Sequence, residues 1–276
     1  MFSLEIKKQR HVFDHPVIMG ILNLTPDSFS DGGCFNDMDA ALRHCEDMLL
    51  AGADMIDIGG CSTRPNNHIA TEREELDRLL PIVKAIRKRF PEALLSIDTF
   101  RAAVAEPCIA EGADIINDIS GGLFDDRMLP YIGANHIPYI MMHCVGTPET
   151  IHDNALEGDI HQTVMDFFEQ QYSQLQPYGS QQIILDPGIG FGKSIPSNYR
   201  LLGDLNRYRL NGFPILIGIS RKSLIFKILQ TTPQEAENGT TVLNTIALLN
   251  GADILRVHDV KKAKEAVALT ERFLEQ

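Results

Sequence analysis

Short apolar runs alternate along the chain with longer stretches in which apolar residues recur every three or four positions. Eight runs stand out: PVIMGILN (16–23), AGADMIDIGG (51–60), ALLSID (93–98), EGADIINDISGG (111–122), IPYIMMH (137–143), QIILDPG (182–188), FPILIGIS (213–220) and NGADILRVHD (250–259). They are β-branched and apolar on both faces, the pattern of strands in a parallel sheet covered on each side. Segments between them, such as DAALRHCEDMLLAG and EELDRLLPIVKAIRKRF, carry the spacing of amphipathic helices. Three junctions repeat one form: a helix ends in Gly, passes through Ala-Asp and enters a strand. Gly52, Gly112 and Gly251 fit the left-handed position that follows a helix C-terminus.

Eight β/α units with no Pro/Gly/Ser-rich linker predict one α/β domain, a single (β/α)8 TIM barrel over residues 16–276, an architecture that needs about 250 residues. Residues 1–15 are expected to form a short N-terminal extension, a hairpin closing the base of the barrel. An open doubly wound sheet is the alternative, but it would carry a glycine fingerprint after its first strand. The turn there reads NLTPDSFSDGG.

Composition narrows the function. The chain of 276 residues has 25 Lys+Arg against 37 Asp+Glu, a formal net charge of −12. A nucleic-acid binder needs a basic footprint, so no nucleic-acid partner is expected. No apolar run is long enough to span a bilayer, and the N-terminus has no signal-peptide core, which predicts a cytoplasmic protein without a membrane partner. The five cysteines show no CxxC spacing, and the nine histidines form no HExxH pair. Reduced thiols are expected, and any metal should arrive with a substrate.

The candidate chemistry lies at the strand ends. Asn23, Asp57, Asp98, Asn117, His143, Asp186, Ser220 with Lys222, and Arg256 with His258 each close a strand with a group that a barrel core cannot absorb. Any one of them could be a cap or a turn former. Eight in register form a ring around the barrel mouth, where such enzymes place their sites. PGIGFGKS (187–194) ends like a phosphate loop, yet Pro187 stands where the first glycine of GxxxxGK[ST] belongs, so a flexible loop is expected there. Two polar loops, 23–33 and 59–68, are suited to be lids, the second supplying Thr63 and Arg64 for phosphate oxygens. Asp259 is expected to cap a helix starting at Val260, whose free N–H groups, with Arg256 and His258, make an anion site. The acidic residues crowd the helices, whereas Arg64, Lys222, Arg256 and His258 should reverse the sign at the mouth.

The motifs MGILNLTPDSFSDGG, GGxSTRP, SIDTF, INDISGG, MMHxxGTP, LDPGIGFGKS, GISRKS and RVHDV, in that order over residues 19–260, resemble the dihydropteroate synthase family of folate biosynthesis, the target of sulfonamides. The resemblance implies a transferase that condenses 6-hydroxymethyl-7,8-dihydropterin diphosphate with p-aminobenzoate, giving 7,8-dihydropteroate and pyrophosphate. It assigns the pterin edge to Asp186, Asp98, Asn117 and Lys222, and the diphosphate to Arg256, His258, Thr63 and Arg64. It gives Asn23 to a Mg²⁺ cofactor, and Phe29, Pro65, Phe191, Lys222 and Ser223 to p-aminobenzoate. Lys222, Arg256 and His258 are the expected catalytic residues, and a homodimer is implied. Cys61 stands where many members have Glu, Asn66-Asn67 replaces a common Gly-Ala, and Cys144-Val145 replaces Met-Gln. A pterin-binding methyltransferase barrel, or a non-catalytic pterin-binding paralogue, would share the Asp and Asn contacts but would have no use for NLTPDSF, STRP and RVHD.

Overall fold

The computed structural model of the chain describes residues 1–24, 34–62, 69–151, 155–156, 158–179 and 181–276. After an antiparallel hairpin, β1 (Phe2–Ile6) and β2 (Gln9–Phe13), come eight parallel strands: β3 (Val17–Asn23), β4 (Met55–Gly59), β5 (Leu94–Asp98), β6 (Ile115–Asp118), β7 (Tyr139–Met142), β8 (Ile183–Asp186), β9 (Leu216–Ile217) and β10 (Ile254–Val257). The helices between them are α1 (Cys34–Leu50), α2 (Glu72–Arg89), α3 (Ala102–Ala110), α4 (Met128–Asn135), α5 (Ile160–Leu175), α6 (Ile195–Gly203), α7 (Ser223–Leu229), α8 (Glu237–Leu249) and α9 (Val260–Leu274). Strand order runs β8-β7-β6-β5-β4-β3-β10-β9. A parallel bridge between Leu185 and Ile215 joins the two ends and closes the barrel.

The eight strands lie where the apolar runs place them, although β9 keeps only two residues of its run. Pro214 cannot donate to a ladder; its carbonyl instead accepts from Leu185 N at 2.9 Å, so the closure begins just ahead of the regular strand. Gly52, Gly112 and Gly251 adopt φ of 96°, 106° and 98°, turning the chain from helix into strand as expected. The helices are set by ordinary local chemistry. Thr71 and Glu74 form a capping box at α2, whose first turn is acidic and last turn basic, in keeping with the helix dipole.

The hairpin seals one end of the barrel. Leu4, Ile6 and Phe13 pack with Val17, Met19, Met55, Ile115, Ile140, Ile184, Leu216 and Ile254, a floor drawn from the first residues of the strands. Polar clamps fix its orientation. Lys7 Nζ pairs with the buried Asp114 at 2.6 Å, and Gln182 Nε2 donates to Glu5 O at 2.9 Å. Trimming a plug leaves a void that the rigid strands cannot collapse into. Ile6→Ala should therefore cost roughly 2–4 kcal/mol, read as a lower denaturation midpoint with an unchanged slope, and an unaltered midpoint would show that the floor holds without the hairpin.

Candidate active site

Side chains of a strand return to the same face every second residue, so the column above each floor residue can be read off directly. Met55 is followed by Asp57, Ile115 by Asn117, Ile184 by Asp186, Leu216 by Gly218 and Ile254 by Arg256; four residues beyond Leu94 stands Asp98. The interior thus changes from an apolar floor to a polar layer at the strand C-terminal ends.

Arg256 occupies the centre of that layer. Its Nε donates to Asp57 Oδ2 at 2.6 Å and its Nη2 to Asp98 Oδ2 at 2.7 Å, while Asn117 Nδ2 reaches the same Asp57 oxygen at 2.9 Å. Burial opposes the guanidinium charge, but Asp57 and Asp98 more than offset it and hold the proton above the usual arginine range. Burial pushes the Asp98 carboxyl up to about 7; Arg256 pulls it back, and Asp57 and Glu75 add to the rise. The other oxygen of Asp57, Oδ1, is buried and has no hydrogen-bond partner among the described residues. Register places Asn23 opposite Gly59 and Gly59 opposite Asp98. A methyl group on Gly59 would sit 3.5 Å from Asn23 Oδ1 and 3.6 Å from Asp98 Oδ2, so glycine keeps this flank of the mouth open.

On the opposite side, the loop after β8 is held by two lysines. Lys193 Nζ, buried, donates to the carbonyls of His143, Gly188 and Phe191 at 3.1, 2.9 and 3.0 Å. Lys222 Nζ donates to Ile189 O at 2.6 Å and lies 4.3 Å over the Phe191 ring. Asp186 Oδ1 accepts from Gly188 N at 2.7 Å. Burial lowers Lys222 to about 8 and Lys193 to about 7, with Asp186 opposing both shifts; burial raises Asp186, against the pull of Lys222. The expectation of a flexible loop here is overturned. Gly188 has φ +69°, and a Cβ there would fall 1.8 Å from His143 O, so the glycines serve close packing.

His258 stands at the end of β10, with Nδ1 3.0 Å from Ser220 Oγ. Asp259 does not cap α9, contrary to expectation, because its carboxylate accepts two bonds from Arg221, at 2.7 Å from Nη2 and 3.2 Å from Nε. A bidentate guanidinium outcompetes a single backbone N–H for those oxygens. The pair ties the β9–α7 loop, with Lys222 and Ser223 at its end, to the turn that carries His258. Asp98, Asn117, Asp186, Lys222, Arg256 and Asn23 therefore share one mouth, flanked by His258, Phe191 and Ser223. Phe29, Thr63, Arg64 and Pro65 lie outside the described residues. Among the described residues the mouth is not positive: Asp57, Asp98 and Asp186 stand with Arg256 and Lys222, while Lys193 is buried within the loop after β8.

A family model for pterin binding enzymes matches residues 19–258. The dihydropteroate synthase of Synechocystis sp. is 45% identical over 247 residues, 88% of this chain and 85% of the relative. Among solved structures, the Yersinia pestis dihydropteroate synthase with a sulfonamide drug complex superposes with a TM-score of 0.91 at 39% identity, covering 99% of each chain. The Clostridium difficile dihydropteroate synthase, in the presence of pteroic acid, gives 0.89 at 38% identity over 96% of this chain and 100% of that one.

The chain belongs to the dihydropteroate synthase family. It is accordingly a transferase with the barrel fold of its relatives. Cys61, a departure from the family motif in the sequence reading, is half-buried, and burial raises its thiol. The other described departure, Cys144, is buried in an apolar cluster with Phe100, Ile119 and Met142.

Two residues in this synthase-family site, Lys193 and Arg221, are not singled out by the sequence, and a third, Asp57, has no assigned partner there. Asp57 was placed in the ring without a role, although its column above Met55 could have assigned it to the centre. Lys193 gives no signal in sequence, because only the fold of its own loop buries it. Arg221, at φ +57°, reads as a solvated loop cation until Asp259 is seen opposite. Removing one partner from a buried ion pair leaves the other charge uncompensated. Arg256→Met should cost about 3–5 kcal/mol in denaturant unfolding, and adding Asp57→Asn should recover part of the loss; strictly additive effects would mean that the pair is not coupled.

Proposed function

We propose that this barrel condenses 6-hydroxymethyl-7,8-dihydropterin diphosphate with p-aminobenzoate, forming 7,8-dihydropteroate and pyrophosphate. The observation that carries the reading is the polar layer of Asp57, Asp98, Asp186, Asn117, Arg256 and Lys222 in an otherwise apolar barrel. Such a layer suits a flat heterocycle with a row of N–H donors beside a carbonyl, since each buried group would be costly to leave unpaired. Asp186 accepts the amidine-like edge in two parallel bonds. Asp98 and Asn117 complete that edge, and Lys222 turns from Ile189 O to the ring carbonyl and nitrogen. The sulfonamide and pteroic acid of the two related structures support substrates of this chemistry.

In the reaction, the bond between the pterin methylene carbon and the diphosphate oxygen breaks, and the electron pair leaves with diphosphate. The arylamine nitrogen then attacks the resulting cation and releases its proton to solvent. No general base of unusual pKa is required. The protein's part is to stabilise the negative charge that develops on the leaving group. Arg256, His258 and the start of α9 face the β-phosphate, and Thr63 and Arg64 supply further donors to the diphosphate oxygens. Phe29, Pro65, Phe191, Lys222 and Ser223 receive p-aminobenzoate.

Mg²⁺ fits the donor set. Asn23 offers one amide oxygen at the open flank beside Gly59, and the described residues contain no group of three His, Cys, Asp or Glu able to hold an ion by themselves. Mg²⁺ characteristically binds through one or two protein oxygens together with substrate phosphates. When bound, it offsets charge on the departing diphosphate.

A homodimer is the expected assembly. Val242, Ile246 and Leu249 on α8, with Leu269 and Phe273 on the neighbouring α9, expose an apolar surface of the kind that marks an interface. A cytoplasmic location accords with the four free cysteines among the described residues, three of them buried, and with no described helix long and apolar enough to cross a membrane.

The purified protein should release pyrophosphate only with the pterin diphosphate, p-aminobenzoate and Mg²⁺ together, and sulfonamide should compete with p-aminobenzoate. Full turnover after thorough chelation would remove the metal, and pterin binding without turnover would point to a paralogue. Lys222→Ala should lower kcat/KM by about 100-fold or more; retention within a few-fold would refute the pterin pose. In sedimentation, the 30.7 kDa chain should run as a dimer, and Val242→Asp with Phe273→Asp should make it monomeric. A monomeric parent would sink the dimer reading.

A further inference from the structure

The segment Gly188-Ile189-Gly190-Phe191 offers three carbonyls to two lysine ammonium groups. Lys193 takes those of Gly188 and Phe191 and adds His143 O from the end of β7; Lys222 takes Ile189 O between them. The two lysines differ in what else they can reach. Lys222 lies over the half-buried Phe191 ring at the mouth, whereas Lys193 is 8% exposed with its ammonium enclosed by backbone oxygens. If Lys222 turns towards substrate, Ile189 O loses its donor. Gly188 O keeps Phe191 N as a donor at 3.1 Å, and Lys193 is the side chain that still ties Gly188 O and Phe191 O to His143 O. Asn198 Oδ1 holds Gly190 N at 2.7 Å, but it offers nothing to these carbonyls.

We infer that Lys193 is a positioning residue that keeps Phe191 in place as a wall for the arylamine while Lys222 is engaged with the pterin. This rests on the synthase reading above and extends it: the two lysines divide one loop, the first holding it and the second leaving it to bind substrate. Burying a lysine ammonium is costly, and three carbonyl acceptors are what make it tolerable. A burial cost of this kind, away from the substrate, is expected where it fixes a geometry that apolar packing alone would leave loose.

The test uses the full-length protein with Mg²⁺, pterin diphosphate and p-aminobenzoate. Two variants are compared with the parent: Lys193→Met, which has no donors, and Lys193→Gln, which keeps two N–H donors without the charge. The KM for p-aminobenzoate should rise about tenfold in Lys193→Met and less in Lys193→Gln, because a displaced aromatic wall weakens binding of the second substrate. The dissociation constant for pterin diphosphate, titrated without p-aminobenzoate, should stay within about threefold of the parent in both variants. A purely structural lysine would instead lower both affinities and the melting temperature together, and that outcome overturns the inference. So does a p-aminobenzoate KM within twofold of the parent in a folded Lys193→Met. If Lys193→Met does not fold, the same two constants measured on Lys193→Gln decide. An inactive parent would refute the synthase reading itself, a result distinct from an active parent with indifferent variants.

Discussion

The ion pairs of Arg256 with Asp57 and Asp98 set the terms for the rest of the mouth. A guanidinium inside a barrel has lost most of its water, and only charge-assisted bonds of near-ideal geometry can compensate. Asp57 and Asp98 come from neighbouring strands and Arg256 from a third, so the triad pins three strand ends to one another. Asn117 adds a fourth strand through Asp57. The floor beneath this cross-bracing is apolar and buried. The hairpin makes it so, with Leu4, Ile6 and Phe13 packed against the first residues of the strands.

Charge balance explains why such a layer is compatible with a strongly acidic protein. The net −12 belongs to the outer helices, where it favours solubility. Inside the mouth, Arg256 is paired with Asp57 and Asp98, and opposite charges temper one another's burial shifts. Asp186 opposes the lowering of both Lys222 and Lys193, and Lys222 pulls Asp186 back. Under the proposed function, an incoming pterin exchanges partners with Asp186 and Lys222. The anionic diphosphate, by contrast, meets a mouth with no excess of positive charge among its described residues, and the proposed function assigns that part to Mg²⁺ and Arg64.

Much of this was legible beforehand, for identifiable reasons. Strands buried on both faces write themselves as apolar runs, and Gly52, Gly112 and Gly251 mark the left-handed turns that feed them. The period of two then places Asn117, Asp186 and Arg256 in the inward columns, so the ring at the mouth followed from counting. The motif resemblance assigned roles within that ring. It could not tell that Pro214 would shift the barrel closure to the residues just ahead of β9, because that depends on which donor faces it across the seam.

What the sequence determined by itself was therefore periodic or local: the number and direction of the strands, the helix junctions, and the identity of the residues crowded at one end. Tertiary structure alone decided the pairings. Asp259 serves Arg221 rather than its own helix, Lys193 is a buried clamp rather than a loop lysine, and Asp57 lies under Arg256 from a strand 199 residues away in sequence. Hydrogen bonds and ion pairs are short-ranged, so a side chain's partner is fixed by distance and direction in space. Periodicity says which way a residue points, and only closure of the barrel says what it meets.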